Sequence, residues 1–498
     1  MSFKLHHFAA AAAAVGLTAT SAAALTAGEV WADWQETSAD FGQTISVGSE
    51  ESSGGVLTLR DVTITMDTPE TGVNGTIAEI VMTERSDGSV AIDMSDEFPL
   101  DVSMTPPEGE SGTFSMLVNQ SGLDLVATGD PDAISYTYAV PTVTVTMSDV
   151  ETDGEPTDLD LVMSLAGLAG AYTVSGDDPR SVTSSLAAGS MNMTMSGTDP
   201  EGSGDTFDIT MNVADIASES GGTITPLAGM TDISQMIEAG LETQGTTTHG
   251  PLTYEISGTS EGSDFAMSGK ADRGSYDVAV GADGLTYGGA SEGVALTVSG
   301  SEIPFPEVEF TIAETGGRIQ MPMTVSEEPK DMGLSIRLVG LTISEAIWST
   351  FDPAGAIPRD PATLIVDLSG QGSWLVNVFD PAVAEQGIEE VPGQVQEIDV
   401  NEILLSVAGA ELTGSGEFDI NNEGPAPQPV GTLNLQLVGA NALIDKLVQM
   451  GLVPEDQAMG ARMMLGLFAR PGAGEDTLVS EIAIQPDGSI LANGQRIR

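Results

Sequence analysis

The stretch Thr142-Val143-Thr144-Val145-Thr146-Met147 places an apolar side chain at every second position, with threonine between. Successive side chains of a β-strand point to opposite faces, so this period of two predicts a strand with one buried and one wet face. The alternation recurs at Leu57, Leu59, Val62, Ile64 and Met66, at Val90, Ile92 and Met94, at Met191, Met193 and Met195, at Phe207, Ile209, Met211 and Val213, and at Val294, Leu296 and Val298. Turn sequences such as Gly202-Ser203-Gly204 separate these segments, which is typical of antiparallel strands.

A helical spacing of apolar residues replaces this pattern in a few short segments. Helices are predicted near the N-terminus at 27–41, mid-chain at 226–241, and in the C-terminal region at 344–351, 441–450 and 454–468. We therefore predict a mainly β fold of the α+β class. It consists of large antiparallel β-sheets, elongated or groove-like, with these few short helices.

The same changes of pattern divide the chain into predicted regions. Residues 25–225 form an N-terminal strand-rich domain with a leading helix. Residues 226–340 form a second strand-rich domain after a short helix, and residues 341–498 form a C-terminal α+β region. The length of 498 residues agrees with such a division, since domains average roughly 150 residues.

Residues 1–24 have the pattern of a secretory signal peptide. Lys4 lies in a short polar start, residues 9–20 form an alanine-rich apolar run, and Ala22-Ala23-Ala24 offers a cleavage site of small residues. We predict cleavage between Ala24 and Leu25 and a periplasmic or secreted protein of a Gram-negative envelope. No later stretch has 18 consecutive apolar residues, so no membrane span is predicted in the mature chain.

Composition and charge exclude several classes of function. The chain carries 74 acidic and 15 basic residues, a formal net charge of −59 at pH 7, which disfavours nucleic acid and anionic membrane surfaces as partners. It has no cysteine, so disulfides, thiolate metal sites and a cysteine nucleophile are excluded. After cleavage His249 is the one remaining histidine, in a segment predicted to be an exposed loop. These counts argue against an enzyme.

One acidic segment offers candidate ligands for calcium. Asp149, Glu151 and Asp153 precede Gly154, and Asp160 falls where the twelfth residue of an EF-type loop would supply its last ligand. Hard carboxylate oxygens around a turn-forming glycine suit Ca²⁺. The flanking residues follow a strand pattern and not a helical one, so the alternative is a plain acidic hairpin turn.

Other groups of residues that could form a functional site can also be explained as parts of the fold. Met191, Met193 and Met195, with Met321 and Met323, resemble thioether sites for Cu(I), but such methionines also fill cores, and the spacing does not separate the two. Acidic residues are so numerous that no pair stands out as a glycosidase pair. Arg359-Asp360, between Pro358 and Pro361, is predicted to form an ion-paired turn.

Three C-terminal motifs carry a family resemblance. They are Trp348, Phe351, Asp352-Pro353, Pro358-Arg359-Asp360-Pro361 and Asp367; the stretch 441–472; and the closing segment 484–498 with Gly488 and Gly494. This pattern resembles domain of unknown function 2125, an uncharacterised family of alphaproteobacterial proteins. The resemblance implies an exported envelope protein and assigns no activity, cofactor or site residue.

The function expected from these observations is binding or scaffolding without catalysis. A long β-surface would hold a lipid or other apolar ligand, or an envelope protein. The alternative is an acidic surface protein that binds divalent cations, calcium above all. A glycoside hydrolase with two carboxylates is the remaining candidate. The shape of the apolar surface, a closed core or a continuous groove, separates the first hypothesis from a purely structural sheet.

Overall fold

The computed structural model describes residues 24–40, 42–68, 70–105, 109, 111–176, 179–198, 204–224, 232–380, 383, 392–424 and 426–498. The predicted signal peptide lies outside these residues except for Ala24. Leu25, the residue after the predicted cleavage point, is buried, and its backbone N–H donates to the carbonyl oxygen of Gly88 at 3.3 Å. The described chain therefore packs into the fold from its beginning.

Five short helices lie close to the predicted positions. They are α1 Ala27–Asp40, α2 Ile233–Glu238, α3 Glu345–Phe351, α4 Ala440–Gln449 and α5 Glu455–Phe468. Four of them begin and end within one residue of the prediction. The mid-chain helix covers a smaller part of the predicted 226–241, of which 226–231 lie outside the described residues. Asp232 caps α2, since its Oδ1 accepts from the backbone N–H of Gln235 at 2.9 Å.

The rest of the described chain is mostly β-strand, which confirms the predicted mainly β fold. The first half contains β1 Thr44–Ser53, β2 Val56–Asp67, β3 Thr71–Glu84, β4 Val90–Met94, β5 Glu97–Met104, β6 Gly112–Asn119, β7 Asp124–Asp130, β8 Ala133–Thr152, β9 Glu155–Pro156, β10 Leu159–Ser175, β11 Arg180–Thr198 and β12 Thr206–Ile224. The second half contains β13 Thr243–His249, β14 Leu252–Ser260, β15 Ser263–Ala271, β16 Arg273–Gly281, β17 Gly284–Gly300, β18 Val308–Met321, β19 Lys330–Ile343, β20 Ala362–Trp374, β21 Gly393–Val407, β22 Ala410–Asn421, β23 Gln428–Val438, β24 Arg470–Pro471, β25 Thr477–Ile484, β26 Ile490–Ala492 and β27 Gln495–Arg496.

All these strands belong to one antiparallel sheet. Long strands pair with their neighbours in chain order, and two pairs of shorter strands lie end to end between β12 and β17. β12 ends just before the predicted boundary at residue 225 and pairs with β13 and β14, which come after it. β19 itself contains residue 340, the second predicted boundary, and pairs with β20. The hydrogen-bonded ladder is therefore continuous across both boundaries, and the division into domains stays a prediction.

Residues with a left-handed backbone conformation occur inside several long strands, and they keep the apolar side chains on one face. Leu59 and Val62 are three residues apart, yet both are buried in the same cluster, on either side of Asp61, whose φ is 52°. Three residues apart in a regular strand would point to opposite faces. The same step of three occurs around Gly167, between Leu165 and Leu168. One left-handed residue thus lets two apolar residues that are three positions apart point to the same face of the sheet.

The dense hydrophobic core lies within residues 25–136. Helix α1 packs on it through Val30 and Trp31. Its buried members are Leu25, Ala27, Val30, Trp31, Leu57, Leu59, Val62, Ile77, Ile80, Met82, Val90, Ile92, Leu125, Ala127, Ile134 and Tyr136. Beyond this cluster most apolar side chains of the sheet are half-buried or exposed.

A buried ion pair fixes α1 to a strand far away in the chain. The Arg180 side chain is 8% exposed; its Nη2 bonds Asp33 Oδ1, and its Nη1 lies 3.3 Å from Asp40 Oδ2. Tyr136 Oη donates to the other oxygen of Asp33 at 2.6 Å. Both carboxylate oxygens of Asp33 are thus bonded, which is the condition under which a buried charge is tolerated.

Replacing Arg180 with methionine is expected to destabilise the protein by about 2–4 kcal/mol, because Asp33 stays buried without its cation. Urea unfolding followed by circular dichroism measures this change. Arg273 is the matched control, since its ion pair with Glu292 is solvent-exposed. Arg273→Met is expected to cost less than about 1 kcal/mol. Equal losses in the two variants would show that Arg180 does not anchor α1.

Burial of Tyr136 makes stability depend on alkaline pH. Desolvation raises the pKa of Tyr136 far above its usual value of about 10, and the bond to Asp33 raises it further. Desolvation also raises the pKa of Tyr172, whose ring stacks on that of Tyr136 at 4.5 Å. The unfolded chain ionises first, so the stabilisation is complete below about pH 10 and is lost as the pH rises.

The free energy of unfolding is therefore expected to fall above about pH 10, with a slope of up to about 1.4 kcal/mol per pH unit for each buried tyrosine. Urea titrations at a series of alkaline pH values measure the slope. In Tyr136→Phe the slope should decrease, with the contribution of Tyr172 remaining. An unchanged slope in the variant would contradict this assignment.

Candidate ligand-binding face

Strand register brings apolar residues from many strands into one line. We call this line the central row: Val278, Tyr287, Ile319, Leu334, Leu368, Val400, Gly416, Leu433 and Ile482, each directly opposite the next. Directly paired residues lie on the same face of a sheet. The central row therefore forms an apolar line across nine neighbouring strands, from β16 to β25. We call the face that carries it the ligand face.

A second apolar line lies on the same face, four residues along each strand from the central row, except on β21, where a register shift makes the step five residues. We call it the leucine row: Leu338, Leu364, Leu405, Leu412, Leu437 and Leu478. Between the two rows lie Ile336, Val366, Ile403 and Leu435. Because every second residue shares a face, the ligand face is at least three rows wide.

Six neighbouring side chains on this face are open to solvent. We call them the exposed patch: Tyr276, Val278, Tyr287, Ile319, Leu334 and Ile336, with exposed fractions from 37% to 53%. On the same strands Ser335, which alternates with them, is less exposed, whereas Arg318 is exposed. The apolar face of these strands is therefore open to solvent, as their polar face is. A contiguous exposed apolar patch marks a site of interaction.

Glycines form the floor of a concavity beneath the exposed patch. Gly289 is paired with both Tyr276 and Gly317. A Cβ atom at Gly289 would come within 3.0 Å of Tyr276 Cδ1, so the ring lies close over the bare backbone. The concavity has a volume of about 410 Å³ and is lined by Tyr287, Ile319 and other members of the patch. Two double glycines in adjacent strands, 288–289 and 316–317, are the sequence signal for this floor.

The opposite face of the same strands is polar. Asp277, Gly288, Arg318, Ser335 and Asp367 are paired in one line across it, and Arg318 Nη1 lies 3.3 Å from Asp277 Oδ2 across Gly288. A concavity of about 720 Å³ also lies on this face and is lined by Glu397, Asp399, Glu417 and Asp419 among others. Charged and polar side chains thus lie mainly on the face opposite to the central row.

Methionines line the other half of the sheet. Met163, Met193 and Met211 are paired across β10, β11 and β12, and Met116, Met147, Leu161 and Met195 form the next line. All are half-buried, so they neither fill a closed core nor stand free. Met321 and Met323 lie on and after β18 and are not paired with them. A thioether is flexible and polarisable, so such a surface adapts to apolar ligands of varied shape.

The prediction that His249 lies in an exposed loop is wrong. It is the last residue of β13, is 8% exposed, and its ring stacks on Tyr276 at 6.2 Å. Its Nδ1 lies 2.7 Å from the carbonyl oxygen of Gly250, so Nδ1 carries the hydrogen. Its Nε2 faces Gly274, where a Cβ atom would lie 2.3 Å away. His249 therefore packs beneath the edge of the exposed patch.

The residues of the family motif around Asp352 form a buried turn. Asp352 Oδ1 and Oδ2 accept from the backbone N–H groups of Ala356 and Ile357 at 2.8 and 2.9 Å. These bonds lower the pKa of the Asp352 carboxyl, with a smaller contribution from Arg359. The expected pair of Arg359 with Asp360 is wrong, because Arg359 bonds Glu345 on α3 and lies over the ring of Trp348. The motif is thus structural here.

The calcium candidates lie on a hairpin. Asp149 and Glu151 are in β8, Asp153 is in the turn before β9, and Asp160 is in β10, paired with Ser196. Asp153 Oδ1 accepts from the backbone N–H and the hydroxyl of Ser111 at 2.8 and 3.0 Å. In the part of the chain that the structure describes, no three His, Cys, Asp or Glu side chains are grouped as metal ligands. Calcium binding stays a prediction.

The strands that form the ligand face lie within the range of a match to a known protein family. A family model described as an uncharacterized protein conserved in bacteria, DUF2125, matches residues 246–492. Over that range the chain is similar to this family. The DUF2125 match contains β14 to β26 in full, and so the central row, the leucine row and the exposed patch. The restriction to alphaproteobacteria stays a prediction. No curated protein matches the chain.

Calcium binding is open to a direct test at Asp153. If the hairpin holds Ca²⁺, titration calorimetry with millimolar calcium chloride gives a binding isotherm that Asp153→Ala loses, because the variant removes a hard oxygen ligand. Asp153→Asn controls for the bonds to Ser111, since its amide keeps an acceptor oxygen. A wild-type protein that gives no isotherm, or one equal to that of Asp153→Ala, would reject the hypothesis.

Proposed function

We propose that this protein is an exported, non-enzymatic protein that binds the acyl chains of a lipid along the ligand face. The observation that carries the proposal is the exposed patch, six apolar side chains on the same face of four adjacent strands, five of which line one concavity. Apolar surface left in water costs free energy in proportion to its area, and a ligand that covers it recovers this cost.

The dimensions of the face suit a chain-like ligand. Strands are spaced by about 4.8 Å, so the central row from β16 to β25 extends over roughly 38 Å. One leaflet of a bilayer has a hydrocarbon thickness of about 15 Å, half of the core. The row thus offers enough length for more than one acyl chain, and the half-buried methionine lines continue the apolar surface into the other half of the sheet.

Export and the absence of catalysis belong to the same proposal. Residues 1–24 have the pattern of a cleaved signal peptide, and Leu25 packs into the core directly after it. The mature sequence would hold one histidine and no cysteine. His249 packs against a glycine and a carbonyl group. These features favour a periplasmic binding protein over a hydrolase.

A pair of adjacent substitutions on β19 tests the ligand face. Leu334→Asp places a carboxylate on the ligand face, and Ser335→Asp places one on the polar face of the same strand. Leu334→Asp is expected to weaken binding of a fluorescent naphthylamine dye, displaceable by palmitate, by about tenfold, or 1.4 kcal/mol. Ser335→Asp should leave the affinity within about twofold.

Two results would contradict the proposal. The first is a wild-type protein that binds neither the dye nor palmitate and that carries no lipid in native mass spectrometry after purification from the periplasm. The second is an equal loss of affinity in both variants, with both folded by circular dichroism, because the effect would then come from added charge and not from the ligand face.

A further inference from the structure

The helices α4 and α5 form a helical hairpin whose outer side is apolar and exposed. Met459, Met463 and Leu467 follow one another at intervals of four along α5, so they share one side of the helix. Their exposed fractions are 71%, 73% and 54%. Ala458, on another side of α5, is buried, and Arg462 on α5 bonds Asp445 on α4. The helix is therefore held in place with its methionine side facing outward.

This segment carries balanced charge. Residues 440–471 contain three basic residues, Lys446, Arg462 and Arg470, and three acidic ones, Asp445, Glu455 and Asp456. The segment is neutral in a chain of net charge −59. Lys446 and Arg470 have no ion-pair partner among the described residues. A surface that approaches this segment thus meets balanced charge beside the exposed apolar side chains.

The helical hairpin lies at the end of the sheet that carries the leucine row. It connects β23, which ends one residue after Leu437, to β25, which begins one residue before Leu478. Helix α3, with Phe351 37% exposed, connects β19 and β20 at the same strand ends. The helical hairpin, α3 and the leucine row therefore lie at the same end of the strands.

We propose that the helical hairpin docks on the surface of a lipid bilayer through Met459, Met463 and Leu467. An exposed apolar helix side inserts into the boundary between headgroups and acyl chains without crossing the membrane. Among the described residues, no helix has the length and apolarity of a membrane span. The neutral segment within a strongly negative protein selects a zwitterionic bilayer, because anionic lipids repel the remaining charge.

Such docking would place the leucine row next to the bilayer, and this part of the inference rests on the proposed lipid-binding function. Docking itself concerns a different surface from the exposed patch. The two proposals can therefore fail separately, vesicle binding for the helical hairpin and dye binding for the ligand face.

The test is flotation of the full mature protein with phosphatidylcholine vesicles. Wild-type protein should float with the vesicles, and Met463→Glu should reduce its partition coefficient at least about tenfold. Gln457→Glu is the matched control, since it adds one exposed carboxylate on another side of the same helix and should float like the wild type. Replacing part of the lipid with phosphatidylglycerol should weaken wild-type binding at low salt, and added salt should restore it.

Met463→Glu should keep wild-type circular dichroism and dye affinity, which shows that the fold and the ligand face are intact. Failure of the wild type to float, or equal flotation of Met463→Glu, would overturn the docking proposal. A second copy of the chain is the competing occupant. If light scattering shows a wild-type dimer that Met463→Glu dissociates, the helical hairpin is a dimer contact and the bilayer proposal is wrong.

Discussion

The register of the antiparallel ladder is the constraint on which the rest of the structure depends. Each directly opposed pair places two side chains on the same face of the sheet, about 5 Å apart. In this chain the pairs join leucine to leucine and isoleucine to leucine over many strands, as in Leu338 with Leu364 and Ile319 with Leu334. A slip of one residue in one strand would turn its whole apolar set to the acidic face. Register therefore creates both the core and the ligand face.

The two halves of the protein use this constraint for different ends. Near the N-terminus helix α1 covers the apolar face, and the ion pair of Arg180 with Asp33 and Asp40 fixes it there. From β16 to β19 no described helix covers the face, and the exposed patch remains. A covered face supplies stability through burial, whereas an uncovered one keeps free energy available for a ligand. The same strand pattern thus builds a buried core at one place and an exposed apolar face at another.

The acidic composition complements the open apolar face. A protein that exposes a large apolar patch tends to associate with itself, and a net charge of −59 opposes this through mutual repulsion. The acidic residues lie mainly on the polar face and in turns, as Asp277, Asp367 and Glu417 illustrate. In the helical hairpin basic and acidic residues balance. The negative charge therefore opposes the approach of another negatively charged surface over most of the protein.

The sequence alone determined the strands, the helices and the excluded chemistries, because period, caps and composition are properties of consecutive residues. It did not determine which strands are opposed, and so it could not find the exposed patch or the glycine floor. Arg180 bonds Asp33, 147 residues away, and Arg359 bonds Glu345 in place of its neighbour Asp360. His249 follows threonines and precedes Gly-Pro, which suggests a loop, yet β16 pairs with its strand and buries it. Only the tertiary structure decides such contacts, since they depend on the pairing of distant segments.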